Sequence, residues 1–225
     1  MSVKGRIAEV FESVQGEGLY LGERQLFVRC FGCNLNCKYC DTKLGHFSEY
    51  DPNELFEEIK MYKNGLHSVS FTGGEPLLQV DFLKEVMQKT REAGLINYLE
   101  TNGTLPGEMR EIVDYVDIVA MDVKLPTSTG MGNLWNMHSK FLKIASEKEV
   151  FLKAVICMET QEEDLGQALK LIQEINSSAL LILQPNSYED SPKLLEKLKR
   201  FQNICREEKV ASCLIPQIHK AAGIK

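Results

Sequence analysis

Three cysteines lie close together in one short polar stretch of the chain. Cys33, Cys37 and Cys40 follow a C-x3-C-x2-C spacing in the segment CNLNCKYC. Three thiolates this close in sequence can reach one metal centre without a ligand from a distant part of the chain. A four-iron cluster usually has four cysteine ligands, so three cysteines leave one iron open to another molecule. The spacing therefore predicts a [4Fe-4S] cluster with one open iron.

The same cysteines allow two other interpretations. Structural zinc sites have four protein ligands, and His46 is the one histidine close to the three cysteines. A zinc site completed by His46, and a set of buried thiols without a metal, stay open at this point. Four further cysteines lie in apolar stretches, where small buried side chains are expected: Cys30, Cys157, Cys205 and Cys213.

Five polar motifs each follow an apolar stretch of the chain. They read CFGCNLNCKYCDT, TGGEP, ETNGT, DVKLP and QPNS. The apolar stretches are rich in Val, Ile, Leu or Phe and predict strands over Leu26–Phe31, Ser68–Phe71, Ile96–Glu100, Asp117–Met121, Val150–Ile156 and Leu180–Gln184. Amphipathic stretches between them predict helices from Pro52 to near Gly65 and over Asp81–Ala93, Gly107–Tyr115, Leu134–Ala145, Glu162–Ile175 and Ser191–Glu207.

This alternation of strands and helices predicts parallel strands joined by right-handed crossovers. Additional strands are predicted before these units, over Arg6–Glu12, and after them, over Val210–Ile215. Periodicity alone leaves an open doubly wound sheet and an incomplete barrel as alternatives. In both architectures the active site gathers at the carboxyl ends of the strands. Because the five motifs follow strands, the sequence predicts an enzyme.

The composition is that of an ordinary globular protein, with 44% hydrophobic and 26% charged residues in a chain of 225. We expect a single domain over residues 1–225. A net charge of −6 argues against direct binding of nucleic acid. No apolar run approaches the roughly 20 residues of a membrane span, and the first residues, MSVKGRIAEV, lack a hydrophobic signal region. Seven cysteines do not suit a secreted disulfide framework. The expected location is therefore the cytoplasm, without membrane contact.

Two of the motifs resemble those of the radical S-adenosylmethionine (SAM) superfamily. They are the cysteine motif with an aromatic residue, Tyr39, before its last cysteine, and the TGGEP motif after the second predicted strand. The resemblance implies an α/β fold, an incomplete (β/α)6 TIM-like barrel with extra N- and C-terminal strands. It also implies that the open iron chelates the amino and carboxylate groups of SAM, whose reductive cleavage yields a 5′-deoxyadenosyl radical.

The resemblance also implies which residues bind SAM. Gly73 and Gly74 allow a close backbone approach, which suits hydrogen bonds to a bound ammonium group. The implied SAM-binding residues are Tyr39, Cys40, Asp41, Gly74, Glu75, Glu100, Asn102, Asp122, Val123, Lys124, Gln184, Pro185, Asn186 and Ser187. Glu100, Thr101 and Asn102 stand where the superfamily often binds the ribose.

Three further segments resemble the 7-carboxy-7-deazaguanine synthase family. They are ESVQGEG (12–18), CDT (40–42) and PQIHK (216–220). The resemblance implies ring contraction of 6-carboxy-5,6,7,8-tetrahydropterin to 7-carboxy-7-deazaguanine, with loss of ammonia, in queuosine or deazapurine biosynthesis. SAM would be regenerated in each cycle. A Mg²⁺ ion is implied too, with Thr42 as its protein ligand.

The substrate-binding residues implied by this family are Val14, Gln15, Gly16, Glu17, Arg29, Thr72, His219 and the terminal carboxylate of Lys225. Strand alternation places Arg29 with Phe27 and Phe31, opposite Val28 and Cys30. A guanidinium on a central strand requires an anionic partner. The substrate carboxylate suits its two-pronged geometry, and an internal salt bridge is the alternative.

The resemblance implies two kinds of partner beyond the pterin. One is an external flavodoxin-like or ferredoxin-like electron donor, and the other is a second copy of the chain in a homodimer. A glycyl-radical enzyme activase would have the same cluster and SAM cleavage, and a structural zinc-binding module is a second alternative. The segment Thr127–Trp135 has no counterpart in the family's pattern, and the sequence assigns it no role.

Overall fold

The computed structural model describes residues 3–42, 45–62, 65–189, 191–218 and 223. The predicted substrate residues His219 and Lys225 lie outside these ranges. The strands are β1 (Gly5–Val14), β2 (Arg24–Cys30), β3 (Ser48–Tyr50), β4 (Ser68–Gly73), β5 (Asn97–Thr101), β6 (Ile118–Asp122), β7 (Glu149–Ile156), β8 (Leu181–Pro185) and β9 (Ser212–Leu214). The helices are α1 (Pro52–Tyr62), α2 (Val80–Glu92), α3 (Pro106–Ile112), α4 (Pro126–Thr129), α5 (Trp135–Ala145), α6 (Glu162–Ile175) and α7 (Pro192–Glu207).

All nine strands of the described ranges belong to one sheet, in the order β3-β1-β2-β4-β5-β6-β7-β8-β9. From β2 to β9 every neighbouring pair is parallel, whereas β1 pairs antiparallel with β2 and β3. The order begins at β3 and ends at β9, so the sheet is open within the described residues. This confirms the expected incomplete barrel with extra strands at both ends of the chain.

Side-chain alternation on β2 separates the core from the opposite face of the sheet. Val28 and Cys30 are completely buried in the main hydrophobic cluster, against the helices. Phe27 and Arg29 line a cleft on the other side, as the alternation predicted.

Helix α7 contributes a continuous apolar stripe to the core. Four residues that recur at helical spacing in the sequence are all buried: Leu194, Leu198, Phe201 and Cys205. Full burial of a side chain of this size contributes about 1.5–3 kcal/mol. The 3.6-residue period in the sequence was therefore sufficient to orient this helix.

Several short elements differ from the predictions. β3 was not predicted, because three residues reading SEY carry no periodic signal and pair only through Gly5–Ile7 of β1. The four-residue helix α4 was also missed, although proline begins it and Gly130 ends it in the left-handed region at φ 71°. The last strand is shorter than predicted, Ser212–Leu214 in place of Val210–Ile215. None of the helices in the described part of the chain is long and apolar enough to cross a lipid bilayer.

Candidate active site

The carboxyl ends of the parallel strands surround one cleft with a volume of about 670 Å³. Most of the predicted site residues line this cleft: Val14, Gln15, Gly16, Glu17, Arg29, Cys33, Cys37, Tyr39, Cys40, Asp41, Thr42, Thr72, Gly74, Glu100, Asn102, Asp122, Lys124, Gln184 and Asn186. Four predicted residues do not line it: Glu75, Val123, Pro185 and Ser187. The fold thus gathers residues separated by up to about 170 positions, as parallel strands must.

The three cysteines of the predicted cluster are free thiols on the loop after β2. Cys33 and Cys40 are exposed and Cys37 is half-buried. The Leu35 backbone N–H donates to Cys33 Sγ at 3.4 Å, a bond that favours a thiolate. Desolvation by burial raises the pKa of the Cys33 and Cys37 thiols, whereas coordination to a metal deprotonates a thiol outright. The donor set therefore fits an iron–sulfur cluster.

No group of three or more His, Cys, Asp or Glu side chains in the described ranges is arranged to hold a single metal ion. A zinc site completed by His46 needs such a group. A four-iron cluster does not, since each cysteine binds a different iron atom.

The glycine pair after β4 lies directly against the cysteine loop. A Cβ on Gly73, at φ 139°, would stand 2.1 Å from the Cys30 carbonyl oxygen, and one on Gly74 would stand 2.2 Å from that of Gly32. The Gly74 N–H donates to the Cys30 carbonyl at 3.2 Å. Close packing of two backbones therefore accounts for both glycines, and this Gly74 N–H has a partner within the protein.

A ring of polar side chains, which we call the asparagine clamp, joins the cysteine loop to the end of β5. Asn102 Nδ2 donates to Asn34 Oδ1 at 2.8 Å, and Asn34 Nδ2 donates to Thr104 Oγ1 at 2.9 Å. The Thr104 N–H closes the ring on Asn102 Oδ1 at 3.0 Å. Asn102 Nδ2 also lies 4.0 Å from Cys33 Sγ. The ETNGT motif thus positions a predicted cluster ligand.

Two buried titratable groups contact the backbone of Asn102 in the clamp. The Glu75 carboxylate accepts from the Asn102 N–H at 2.7 Å and from Thr101 Oγ1 at 2.9 Å. Burial raises the pKa of Glu75 to about 7. His138 Nε2 lies 3.2 Å from the Asn102 carbonyl oxygen, and burial lowers the pKa of His138 to about 4. Glu75 was predicted to bind SAM, but it is fully buried beneath the ends of the strands and does not line the cleft.

A second polar group in the cleft is built on Glu100. Gln15 Nε2 donates to Glu100 Oε1 at 2.9 Å, and Thr72 Oγ1 donates to Glu100 Oε2 at 3.2 Å. Gln15 Nε2 also donates to Gln25 Oε1 at 2.9 Å, so both hydrogens of this amide are used within the protein. Glu100, Gln15 and Thr72, predicted separately, therefore form one hydrogen-bonded unit.

Lys153 is the main cleft residue that the sequence predictions missed. It lies on β7, is 3% exposed and lines the cleft. Its Nζ stands 3.5 Å from Glu17 Oε1 and 4.0 Å from Glu100 Oε2. Burial opposes its charge, yet the carboxylates of Glu17, Asp122 and Glu100 raise the pKa of Lys153. The sequence feature that could have identified this residue is a single lysine inside the apolar run VFLKAVI, since lysine is rarely buried without a partner.

Asp122 and Lys124 form an ion pair beside Tyr39. Lys124 Nζ lies 3.1 Å from Asp122 Oδ2 and 5.5 Å from the centre of the Tyr39 ring. Although burial opposes it, Lys124 and Lys153 lower the pKa of Asp122. The DVK motif therefore presents a charged pair next to the cysteine loop.

Arg29 has an anionic partner from its own chain. Its Nε donates to Glu9 Oε2 at 3.2 Å, and its guanidinium lies 5.6 Å from the centre of the Phe11 ring. The internal salt bridge is thus present. One quarter of the Arg29 side chain is still exposed, and the residue lines the cleft.

In two other cleft residues, Gln184 and Thr42, a polar atom has no hydrogen-bond partner or only a long one in the described chain. The Gln184 side chain is 3% exposed, and its Oε1 accepts no hydrogen bond from the described residues. Thr42 Oγ1 donates to Asp41 Oδ1 at 3.3 Å. A buried amide oxygen without a donor costs free energy, so Gln184 indicates a ligand with an N–H or O–H group.

Two further segments, one of them without a predicted role, also border the site. The Lys38 N–H donates to the carbonyl of Thr129 in α4 at 2.9 Å, so the Thr127–Trp135 segment supports the cysteine loop. The Ile218 N–H donates to the Gly16 carbonyl at 2.9 Å, and Gln217 lines the cleft.

Comparisons with known proteins agree with this geometry. The sequence model of the Radical SAM superfamily matches residues 27–158. The 7-carboxy-7-deazaguanine synthase of Geobacter sulfurreducens is 35% identical to this chain, with 96% of each chain covered. The enzyme of the same name from Methanothermobacter thermautotrophicus is 32% identical, with 99% of each covered. Among solved structures, QueE from Escherichia coli has a similar fold, with a TM-score of 0.67 and 19% identity over 94% of this chain and 93% of that one.

Proposed function

The chain belongs to the radical SAM superfamily and, within it, to the 7-carboxy-7-deazaguanine synthase family, and we propose that it catalyses the reaction of that name. The reaction contracts the ring of 6-carboxy-5,6,7,8-tetrahydropterin to give 7-carboxy-7-deazaguanine and ammonia. The observation that carries the proposal is the position of three free thiols, in C-x3-C-x2-C spacing, at a cleft whose other side is lined by polar side chains.

When bound, the [4Fe-4S] cluster and SAM supply the radical abstraction of hydrogen that starts the rearrangement. In this chain Cys33, Cys37 and Cys40 would hold the cluster. Tyr39 and the Asp122–Lys124 pair lie beside the cysteine loop and would contact SAM.

Other residues proposed for SAM come from different strand ends. Gln184 lines the cleft and its amide oxygen has no donor in the described chain, so we retain it as a SAM contact. Asp41, Gly74 and Asn186 also line the cleft, and we retain them as SAM contacts.

The substrate would occupy the part of the cleft that Glu17, Thr72 and Arg29 line. We assign its carboxylate to Arg29, whose exposed guanidinium face retains donors beyond the one given to Glu9. Gly16, Glu17 and Thr72 line the same region. His219 and the Lys225 carboxylate stay predictions.

A Mg²⁺ ion near Thr42 is part of the proposal. Its hydroxyl is bonded to Asp41 and faces the cleft, where an oxygen ligand suits a hard cation. Turnover measured with and without added Mg²⁺ tests this assignment. We expect Mg²⁺ to stimulate the native chain and to have no effect on Thr42→Val.

Radical SAM enzymes require an external reductant, and we propose a flavodoxin-like or ferredoxin-like protein for this role. A homodimer, a cytoplasmic location and a single radical SAM domain over residues 1–225 also stay predictions. The single sheet of the described chain supports the last of these.

Anaerobic reconstitution tests the function directly. The protein is loaded with iron and sulfide, then incubated with dithionite, SAM, Mg²⁺ and 6-carboxytetrahydropterin, and the products are analysed by mass spectrometry. We expect 7-carboxy-7-deazaguanine in many turnovers per SAM. Cleavage of SAM without a deazaguanine product would retain the superfamily and reject this substrate.

A further inference from the structure

Lys153 is a buried cation that none of the roles above uses. Its side chain is 4% exposed, and the residue projects from β7 on the cleft side together with Val155. Truncation of a cation at such a place leaves its anionic partners uncompensated, so Lys153 must be understood together with those partners.

Two carboxylates face this one ammonium group, and they differ in how they are satisfied. Glu100 accepts three hydrogen bonds from the described residues, from Gln15 at 2.9 Å, Thr72 at 3.2 Å and Ser70 at 3.4 Å, and Lys153 lies at an ion-pair distance of 4.0 Å. Most of the acceptor capacity of Glu100 is therefore used within the protein.

Glu17 is in the opposite situation. Its Oε1 lies 3.5 Å from Lys153 Nζ, and its Oε2 lies 3.4 Å from Gln217 Nε2. Both contacts are long, and about half of the acceptor capacity of this carboxylate is unused. Glu17 lines the cleft, so the unused capacity is available to a bound molecule.

The pterin of the proposed function has an edge that suits this carboxylate. Its 2-amino group and ring N3–H are adjacent donors, and a carboxylate accepts two parallel N–H bonds as it does from a guanidinium. We propose that Lys153, paired with Glu100 on one side, is a positioning residue that holds the Glu17 carboxylate toward the cleft to accept the 2-amino edge of the substrate. This inference rests on the proposed function.

A purely structural role for Lys153 makes a different prediction. If the ammonium only neutralises buried charge, its removal lowers stability and affects all ligands equally. If it positions Glu17, its removal abolishes the discrimination between ligands with and without the 2-amino group.

The experiment is a binding cycle on the reconstituted, SAM-loaded protein under anaerobic conditions. Isothermal titration measures Kd for 6-carboxytetrahydropterin and for its 2-deamino analogue. The proteins are the native chain, Lys153→Met, Lys153→Arg, Glu17→Gln and, as a matched control, Lys143→Met on the exposed face of α5.

For the native chain and Lys143→Met, loss of the 2-amino group should weaken binding about 10- to 100-fold, the range for hydrogen bonds to a charged group. The ratio of the two Kd values, 2-deamino analogue over 6-carboxytetrahydropterin, should fall below about threefold in Lys153→Met and Glu17→Gln. In Lys153→Arg the ratio should lie between that of Lys153→Met and that of the native chain. An unchanged ratio in Lys153→Met would overturn the inference.

The remaining outcomes are also decisive. If Lys153→Met does not melt cooperatively, it is not folded and the Glu17→Gln variant provides the test. An unchanged Kd ratio in Glu17→Gln would reject the contact between Glu17 and the 2-amino group. A native protein that discriminates between the two pterins by less than about threefold rejects the inference while retaining the function. A native protein that binds neither pterin overturns the proposed function itself.

Discussion

Two groups of cleft residues are held in different ways: the cysteine side, which is the loop after β2 with the asparagine clamp, and the substrate side, which is the group around Glu17, Glu100 and Arg29. On the cysteine side, the asparagine clamp and the Lys38–Thr129 bond join the loop to the strand ends through contacts of 2.8–3.0 Å. On the substrate side, Gln15 donates to Glu100 at 2.9 Å, but the two contacts of Glu17, with Gln217 and Lys153, are longer, at 3.4 and 3.5 Å.

The difference indicates what each side is built to do. The short hydrogen bonds fix the loop that carries the proposed cluster ligands, without any cofactor. The long contacts of Glu17 leave acceptor capacity that, in our proposal, the substrate uses on binding. Changes on the cysteine side should therefore alter assembly and stability, and changes on the substrate side should alter affinity.

The largest expected effect is the loss of the cluster in Cys37→Ala. With two ligands left on the loop, the cluster should not assemble, so iron content and visible absorbance should fall to background. Cys213→Ala, on β9 away from the cleft, is the control and should retain both. Full iron content with normal turnover in Cys37→Ala would contradict the ligand assignment.

The second prediction concerns the pH dependence of the free energy of unfolding, through a buried histidine on the cysteine side. Burial lowers the pKa of His138 to about 4 from a usual value of 6.5. The native state therefore binds fewer protons here than the unfolded state, and stability present above pH 6.5 is lost as pH falls toward 4. The loss should be about 3 kcal/mol.

Urea unfolding of the native chain and His138→Gln at several pH values measures this loss. The gap in unfolding free energy between the two proteins should shrink as the pH falls, because only the native chain carries the buried imidazole. The half-buried His67 provides the control variant His67→Gln. A constant gap between pH 7 and 4 would disprove the effect.

The third effect is confined to the substrate side. Arg29→Ala should weaken binding of 6-carboxytetrahydropterin by about 10- to 150-fold, the value of a charge-assisted contact. Its ion pair with Glu9 is partly exposed, so stability should change by less than about 1 kcal/mol. Arg24→Ala, on the same strand outside the cleft, is the control, and an unchanged Kd in Arg29→Ala would reject the carboxylate role.

Local sequence patterns were sufficient for several of these features. The face of β2 that carries Arg29 followed from the period of two, and the buried stripe of α7 followed from the period of 3.6. The motifs at the strand ends lie on one cleft because parallel strands share a carboxyl edge. Cys33, Cys37 and Cys40 lie together because short spacing holds them together.

Contacts between distant segments could not be predicted in the same way. Gln15 was predicted to contact the substrate, but both hydrogens of its amide are used by Gln25 and Glu100. Glu75 was predicted to contact the cofactor, but it is buried beneath Asn102. Polar residue types identify groups that can bind, and the tertiary contacts determine which of them have capacity left.

The sequence by itself determined the family, the strand–helix order and the three thiols, because each is encoded in spacing over a few residues. The tertiary structure decided which groups meet across the cleft. Lys153 and Glu17 are separated by more than 130 positions, and their ion pair exists because the order of the strands brings β7 opposite the loop after β1. No local period or motif carries that information, since it depends on the pairing of the whole sheet.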